Sequence, residues 1–381
     1  MFQPLVDRIN RFGFALQSLA LQPDKPCGMC ALNIYQCLMM LATGTTGHVL
    51  AGFQRALGFQ DGHLDVSSQN SSSLDKYCQS SLGVELISVC SLWYQEDFLI
   101  RQSWRENLKQ VFDATVQPIQ LTAINAFIEK GTKGKFKDLV SANDVGGCLL
   151  MLITCLYFKA EWADPFSIHA TVAKTPFYPL TDKPETCHMM HKTARLQYIE
   201  DPKVQVCILP YKSVDSNSTG PCWKAAIILP KDRGYAAIGD ILSTFSKDSS
   251  SLHNILNCTN AGRPIPKVNL RLPRFTLKLH LDLQDALSTL GLGPAFSPSR
   301  GFAPISDTSP LMISRITQDL LIEVNEGGTE MAAVTIVALR NRMRVEPIIQ
   351  MDCNRPFIFA VFDDVTKLVL CSVLVNSVEK S

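Results

Sequence analysis

Arg340, Arg342 and Arg344 alternate with Asn341 and Met343 in a short basic run. The run lacks Gly or Asn-Gly turn chemistry, so it reads as an exposed loop that a protease can reach. Ahead of it, the odd positions Thr329, Met331, Ala333, Thr335, Val337 and Leu339 carry no charge, while the even positions include Glu330. Period-two alternation of this kind suits a segment that lies in a sheet with one face buried. Two readings stand on these residues alone: an ordinary edge strand leading into a polar loop, or a strand-competent segment held out as bait.

Two other clusters have ligand-type chemistry. Cys27-Gly28-Met29-Cys30 has the spacing of a redox pair or half a zinc site, but no second pair follows, and Cys37 stands alone. Cys187-His188-Met189-Met190-His191 also offers ligands, yet on a strand His188 and His191 point to opposite faces. Buried thiols and a strand are the expected readings, with no metal and no cofactor. No G-x-S-x-G elbow, G-x-x-x-x-G-K phosphate loop or H-E-x-x-H helix is present. A Ser-His-Asp set built from scattered residues stays open, since triads are defined by geometry, but nothing supports one.

The chain that carries these residues is 381 long, enough for two domains or one large mixed domain. Its 46% hydrophobic and 19% charged residues indicate a well-filled core. Lys and Arg total 36 against 35 acidic residues, so no bulk attraction to nucleic acid or anionic membrane is expected. The apolar run from Cys148 to Phe158 is too short to span a bilayer and fits a buried strand. MFQPLVDRIN lacks a basic start followed by an apolar stretch, so no signal peptide is read there. Thirteen scattered cysteines, most of them read as small buried apolar residues, favour a reducing compartment. Three N-x-S/T sequons, at Asn70, Asn217 and Asn257, would matter only in a secreted protein.

The periodicities predict helices over 14–21, around 38–41 up to Gly44, over 101–111, and from 124 to an end at Gly131 and Gly134. Strands are predicted over 84–94, 206–209, 225–229, 268–272 and 275–279, and the polar 67–81 segment reads as a surface loop with a short helix. Strands and helices segregate rather than alternate, which suggests an α+β class with large sheets.

Several blocks, in order, resemble the serpins. Thr132, Lys133 and Gly134 resemble the family's T-x-G helix end, and LYFKAEWADPF from Leu156 to Phe166 its Y-F-K-x-x-W-x-x-P-F strand. Met189-Met190, Leu209-Pro210-Tyr211 and LPRFTLKLHLDLQDALSTLGLGPAF from Leu272 follow. Glu326, Gly328 and Thr329 are similar to the proximal hinge, and NRPFIF from Asn354 to the strand beyond the loop. The resemblance implies a single domain over 1–381 with three β-sheets, about nine helices and an exposed reactive-centre loop over about 326–350.

It also implies a suicide-substrate inhibitor, not an enzyme. A serine protease acylates itself on the loop, which then inserts as a new central strand and distorts the protease, releasing strain stored in the native state. The hinge is Glu326, Gly327, Gly328, Thr329, Glu330, Met331, Ala332 and Ala333. The usual count of fourteen from Gly328 puts the scissile bond after Arg342, with Met343 following, and Arg340 and Arg344 are the alternative cleavage residues. Arginine there implies a trypsin-like partner of the plasminogen activator, plasmin or thrombin type. The Arg-Met pair looks most like plasminogen activator inhibitors and protease nexins.

Heparin activation among related serpins uses a basic stripe on a helix near 72–80, where only Lys76 is available, so no strong heparin effect through that helix is expected. The protein is expected to be monomeric. The subgroup, and a start close to where mature serpins begin, favour extracellular work, with the cytoplasm as the alternative.

Departures from the family pattern keep a second reading open, a non-inhibitory serpin acting as substrate, carrier or binding protein. Cys30, Ala31, Asn33, Thr154 and Gln318 stand where the family usually has a hydrogen-bonded cluster of serine, proline, asparagine and histidine. Met331 stands where inhibitory members prefer alanine, and its bulk would slow insertion by a cost of about 1–3 kcal/mol.

Overall fold

The computed structural model describes residues 3–23, 25–59, 74–180, 183–212, 220–258, 264–307, 310–327 and 347–378. In chain order the strands are β1 (Cys27–Met29), β2 (Val84–Tyr94), β3 (Val116–Pro118), β4 (Leu150–Ala160), β5 (Val172–Phe177), β6 (Glu185–Arg195), β7 (Gln197–Glu200), β8 (Val204–Pro210), β9 (Trp223–Pro230), β10 (Lys267–Pro273), β11 (Phe275–Asp282), β12 (Ile313–Val324), β13 (Ile348–Asp352), β14 (Phe357–Asp363) and β15 (Val369–Val375). Three sheets result, ordered β11-β12-β4-β2-β3, β1-β15-β14-β9-β8-β7 and β13-β10-β6-β5. Nine α-helical segments accompany them among the described residues. The class is α+β, as expected.

β4, the central strand of the five-stranded sheet, is buried on both faces, which is why it reads as an unbroken apolar run. On β2, Leu86 and Leu92 turn to the core that holds helix Ala31–Ala42, while Ile87, Val89 and Trp93 turn to helix Leu121–Gly131. That helix ends as the T-x-G spelling suggested. Thr132 Oγ1 donates to the Ile128 carbonyl at 2.7 Å and accepts the Phe136 N–H at 3.2 Å. Gly134 takes a φ of +76°, where a Cβ would strain the turn.

One expectation is corrected. Cys37 is bridged to Cys90, joining helix Ala31–Ala42 to β2 across 53 residues. Neither the spacing nor the periodicity of the sequence pairs them, because they meet only when the strand is laid against the helix. Closing a loop of that length restrains the unfolded chain by about 4 kcal/mol. The other cysteines among the described residues are free thiols, and most are buried, as expected.

Candidate functional site

β12 and β4 run parallel and pair directly, from Ile313 opposite Leu150 to Ile322 opposite Phe158. β12 ends at Val324 in the five-stranded sheet, whereas β13 begins at Ile348 in the four-stranded one. The chain between them must therefore cross from one sheet to another. Its first residues are pinned by the segment after β4. Trp162 Nε1 donates to the Asn325 carbonyl at 2.9 Å, and the N–H groups of Trp162 and Phe166 donate to the carbonyls of Gly327 and Glu326 at 3.2 and 2.8 Å. Trp162 is itself fixed by stacking on Tyr211, with centroids 4.5 Å apart.

Glu326 is held from its side chain as well. Its carboxylate accepts Arg274 Nη2 at 2.6 and 2.7 Å and Thr171 Oγ1 at 2.8 Å. Burial pushes the carboxyl up, but the Arg274 guanidinium and the Thr171 hydroxyl outweigh it and hold the group below its ordinary 4.5. Arg274 and Thr171 were not singled out from sequence. Arg274 sits inside the quoted LPRF block, but its pairing with Glu326 needs the β11/β12 register.

Lower in the same junction, the altered residues Cys30, Asn33, Thr154 and Gln318 come together. Gln318 is fully buried and grips the start of helix Ala31–Ala42, accepting the Cys30 N–H at 2.8 Å and donating to the Cys30 carbonyl at 3.1 Å. Thr154 Oγ1 donates to the Thr317 carbonyl at 3.2 Å, linking β4 to β12. Asn33 donates to the Cys155 carbonyl at 3.3 Å and accepts from Ser88 Oγ at 2.9 Å. This set ties β12, β4 and β2 to one helix, and every polar side chain in it is hydrogen-bonded.

On the opposite face of β12, Asp319 stands across from His280, with Nδ1 and Oδ1 3.0 Å apart. Asp319 is 2% exposed and His280 53%. The hydrogen bond that His280 donates to Asp319 holds the histidine above its ordinary 6.5, and burial pushes Asp319 up. A raised histidine stabilises the fold fully below pH 6.5 and loses that contribution as pH rises through its folded value. Asp319→Asn is therefore expected to return the His280 titration, followed by NMR, towards its ordinary position. A midpoint unchanged by the substitution refutes the coupling.

The remaining ligand-type clusters have packing roles. A Cβ at Gly28 would lie 2.6 Å from Val373, so the Cys27–Cys30 turn is packed tight. Burial pushes Cys27 up to about 12 and Cys30 well above 9.0, away from reactive thiolates. His188 and His191 lie on β6, and His191 packs against Arg271, with Nε2 3.3 Å from Arg271 Nε. Lys76 lies 4.9 Å over the Tyr77 ring. Glu326 and Gly327 are placed as described, whereas Gly328, Thr329, Glu330, Met331, Ala332, Ala333, Arg340, Arg342, Met343 and Arg344 lie outside the described residues, as do Asn70 and Asn217. Asn257 is the exposed last residue of a helix.

The family model described as Serpin (serine protease inhibitor) matches residues 7–376. The chain belongs to the serpin family. This serpin is 28% identical over 354 residues to a serine protease inhibitor of Cyanea capillata, covering 89% of each chain. It is 26% identical over 367 residues to human corticosteroid-binding globulin, covering 93% of this chain and 86% of that one. Among solved structures, AtSerpin1 of Arabidopsis in its native stressed conformation superposes with a TM-score of 0.85 at 20% identity, covering 99% and 98% of the two chains. Human thyroxine-binding globulin follows at 0.82 and 21% identity, with 99% of each covered, and these two likenesses concern the fold.

Proposed function

We propose that this serpin is a suicide-substrate inhibitor of trypsin-like serine proteases, cleaved after Arg342, whose loop then enters between β12 and β4. The observation that carries this reading is the parallel pairing of those two strands. A chain that turns back after β12 runs antiparallel to both, and could exchange their direct ladder for two new ones. The segment that follows the pinned hinge has the alternating uncharged face such a strand needs.

The test is a mixture with trypsin, urokinase or thrombin run on a denaturing gel. A stable band near the summed masses supports inhibition, and cleavage without that band refutes it. Met331 lies on the face that must be buried, where added volume costs about 1–3 kcal/mol. Met331→Ala is expected to raise the ratio of complex to cleaved protein about fivefold or more, since 1 kcal/mol is worth about that factor. An unchanged ratio shows that the methionine fits.

A second reading, a carrier or binding protein, is favoured by the likeness to corticosteroid-binding globulin and by the bulk of Met331. The same gel separates the two. The inhibitory reading has the protein act outside the cell as a monomer. The Cys37–Cys90 bridge supports the extracellular part of that reading, since disulfides persist in oxidising surroundings.

A further inference from the structure

Helix Gln3–Ala20 is fastened to β15 and the turn before it by two buried amides, Asn10 and Gln17, whose spacing puts them on one stripe of the helix two turns apart. Asn10 uses both ends of its side chain. Its Nδ2 donates to the Lys367 carbonyl at 2.8 Å, and its Oδ1 accepts the Val369 N–H at 2.9 Å. Gln17 uses only one end. Its Nε2 donates to the Ser372 carbonyl at 3.3 Å, while its Oε1 has no hydrogen-bond partner. Turning the amide over does not help, because Oε1 would then face the Ser372 carbonyl oxygen. On β15, Ser372 Oγ is also without a partner. Gln17 is fully buried and Ser372 is 3% exposed, so bulk solvent supplies neither bond.

The residues that carry the two orphaned atoms line one small cavity. Asn10, Gln17 and Ser372 form its polar side and Phe14, Met29 and Val369 its apolar side, around a volume of about 10 Å³. That is about the least space that holds a single water molecule. No carboxylate lines the cavity, so a metal ion or an ammonium group would bring an unbalanced charge into it. A larger solute does not fit. Left dry, the cavity would keep both polar atoms desolvated with nothing in exchange.

We propose that this cavity is a binding site for one internal water molecule, which joins helix Gln3–Ala20 to β15. The water donates one hydrogen to Gln17 Oε1 and accepts the hydrogen of the Ser372 hydroxyl. Two bonds fall within the two to four that buried waters make. Gln17 then holds β15 through both ends of its amide, as Asn10 does two turns earlier. The site does not depend on the inhibitory reading.

The test compares the intact protein with Q17M/S372A, which nearly conserves side-chain volume and removes both orphaned atoms. A purely apolar cavity stays dry. Oxygen-17 relaxation dispersion of the solvent counts whole water molecules held for longer than the protein takes to tumble, and labile hydrogens do not contribute. At about one buried water per 27 residues, a chain of 381 residues holds about fourteen, so the variant is expected to lose about 7% of the dispersion amplitude. An unchanged amplitude in the folded variant overturns the site. A high-resolution crystal structure of the parent chain decides the matter even if the variant does not fold. Solvent density is expected within about 2.5–3.0 Å of both Gln17 Oε1 and Ser372 Oγ. A cavity without that density, or Ser372 Oγ bonded directly to Gln17 Oε1, overturns the proposal.

Discussion

Arg342→Ala is expected to abolish the gel-stable complex with trypsin. Proteases of this class carry an acidic group at the base of the pocket that takes the residue before the cut. Alanine leaves that buried acid without its cation, and a site built around a polar partner rejects a substrate that lacks it by about 10⁴-fold. Acylation then falls far below the rate at which the encounter dissociates, and the trap has nothing to close on. The assignment follows from the fourteen-residue count from Gly328. Arg340→Ala and Arg344→Ala, made in parallel, should leave the complex in place. A complex that survives in Arg342→Ala but disappears in one of these moves the reactive bond to that arginine.

Glu326→Ala is expected to loosen the hinge and to lower the unfolding free energy by about 2 kcal/mol. Removing one member of a fully buried ion pair costs about 3–5 kcal/mol. Here Glu326 is 5% exposed but Arg274 keeps 36% of its side-chain surface in water, so the effect is smaller. A shift of the urea midpoint at constant slope measures it. The pH dependence has a fixed sign. A carboxyl held below its ordinary 4.5 stabilises the fold at all higher pH and loses that contribution as pH falls from 4.5 through its folded value. Glu326→Ala should therefore show a weaker acid destabilisation than the parent chain as pH falls from about 5.5, one unit above the ordinary value, through the folded value. Equal acid profiles show that Glu326 is not the group that couples the hinge to pH.

The elements with strong patterns were legible before any coordinates. β2 spans Val84–Tyr94 as its alternation suggested, and the run through Cys148 to Phe158 falls largely within the buried β4. The helix that closes at Gly131 and the strands around Val206, Ala225, Val268 and Phe275 also fall where the periodicities put them. Boundaries were less sharp. The first helix starts at Gln3, well before the apolar stretch at Phe14, because its early turns bury Leu5, Val6 and Ile9 with wider gaps between them. Helix Ala31–Ala42 begins earlier than its Leu38 to Leu41 core for a similar reason, since Cys30 and Asn33 are fastened by partners far along the chain.

The candidate site divides in the same way. The hinge glycines, the arginine run, the alternating segment and the departures at Cys30, Asn33, Thr154 and Gln318 are all spelled in residue types and spacing. Sequence alone therefore determined the family resemblance and the α+β class, and it alone carries the proposal that the loop is bait. Only the tertiary structure decided that Gln318 takes over the grip on Cys30, that Arg274 and Thr171 hold Glu326, and that Cys37 and Cys90 fasten a helix to a strand. These contacts join residues 52 to 288 positions apart, and their energies depend on sheet register and strand order. A local pattern reports which face of an element is buried. It does not carry which other element will cover that face.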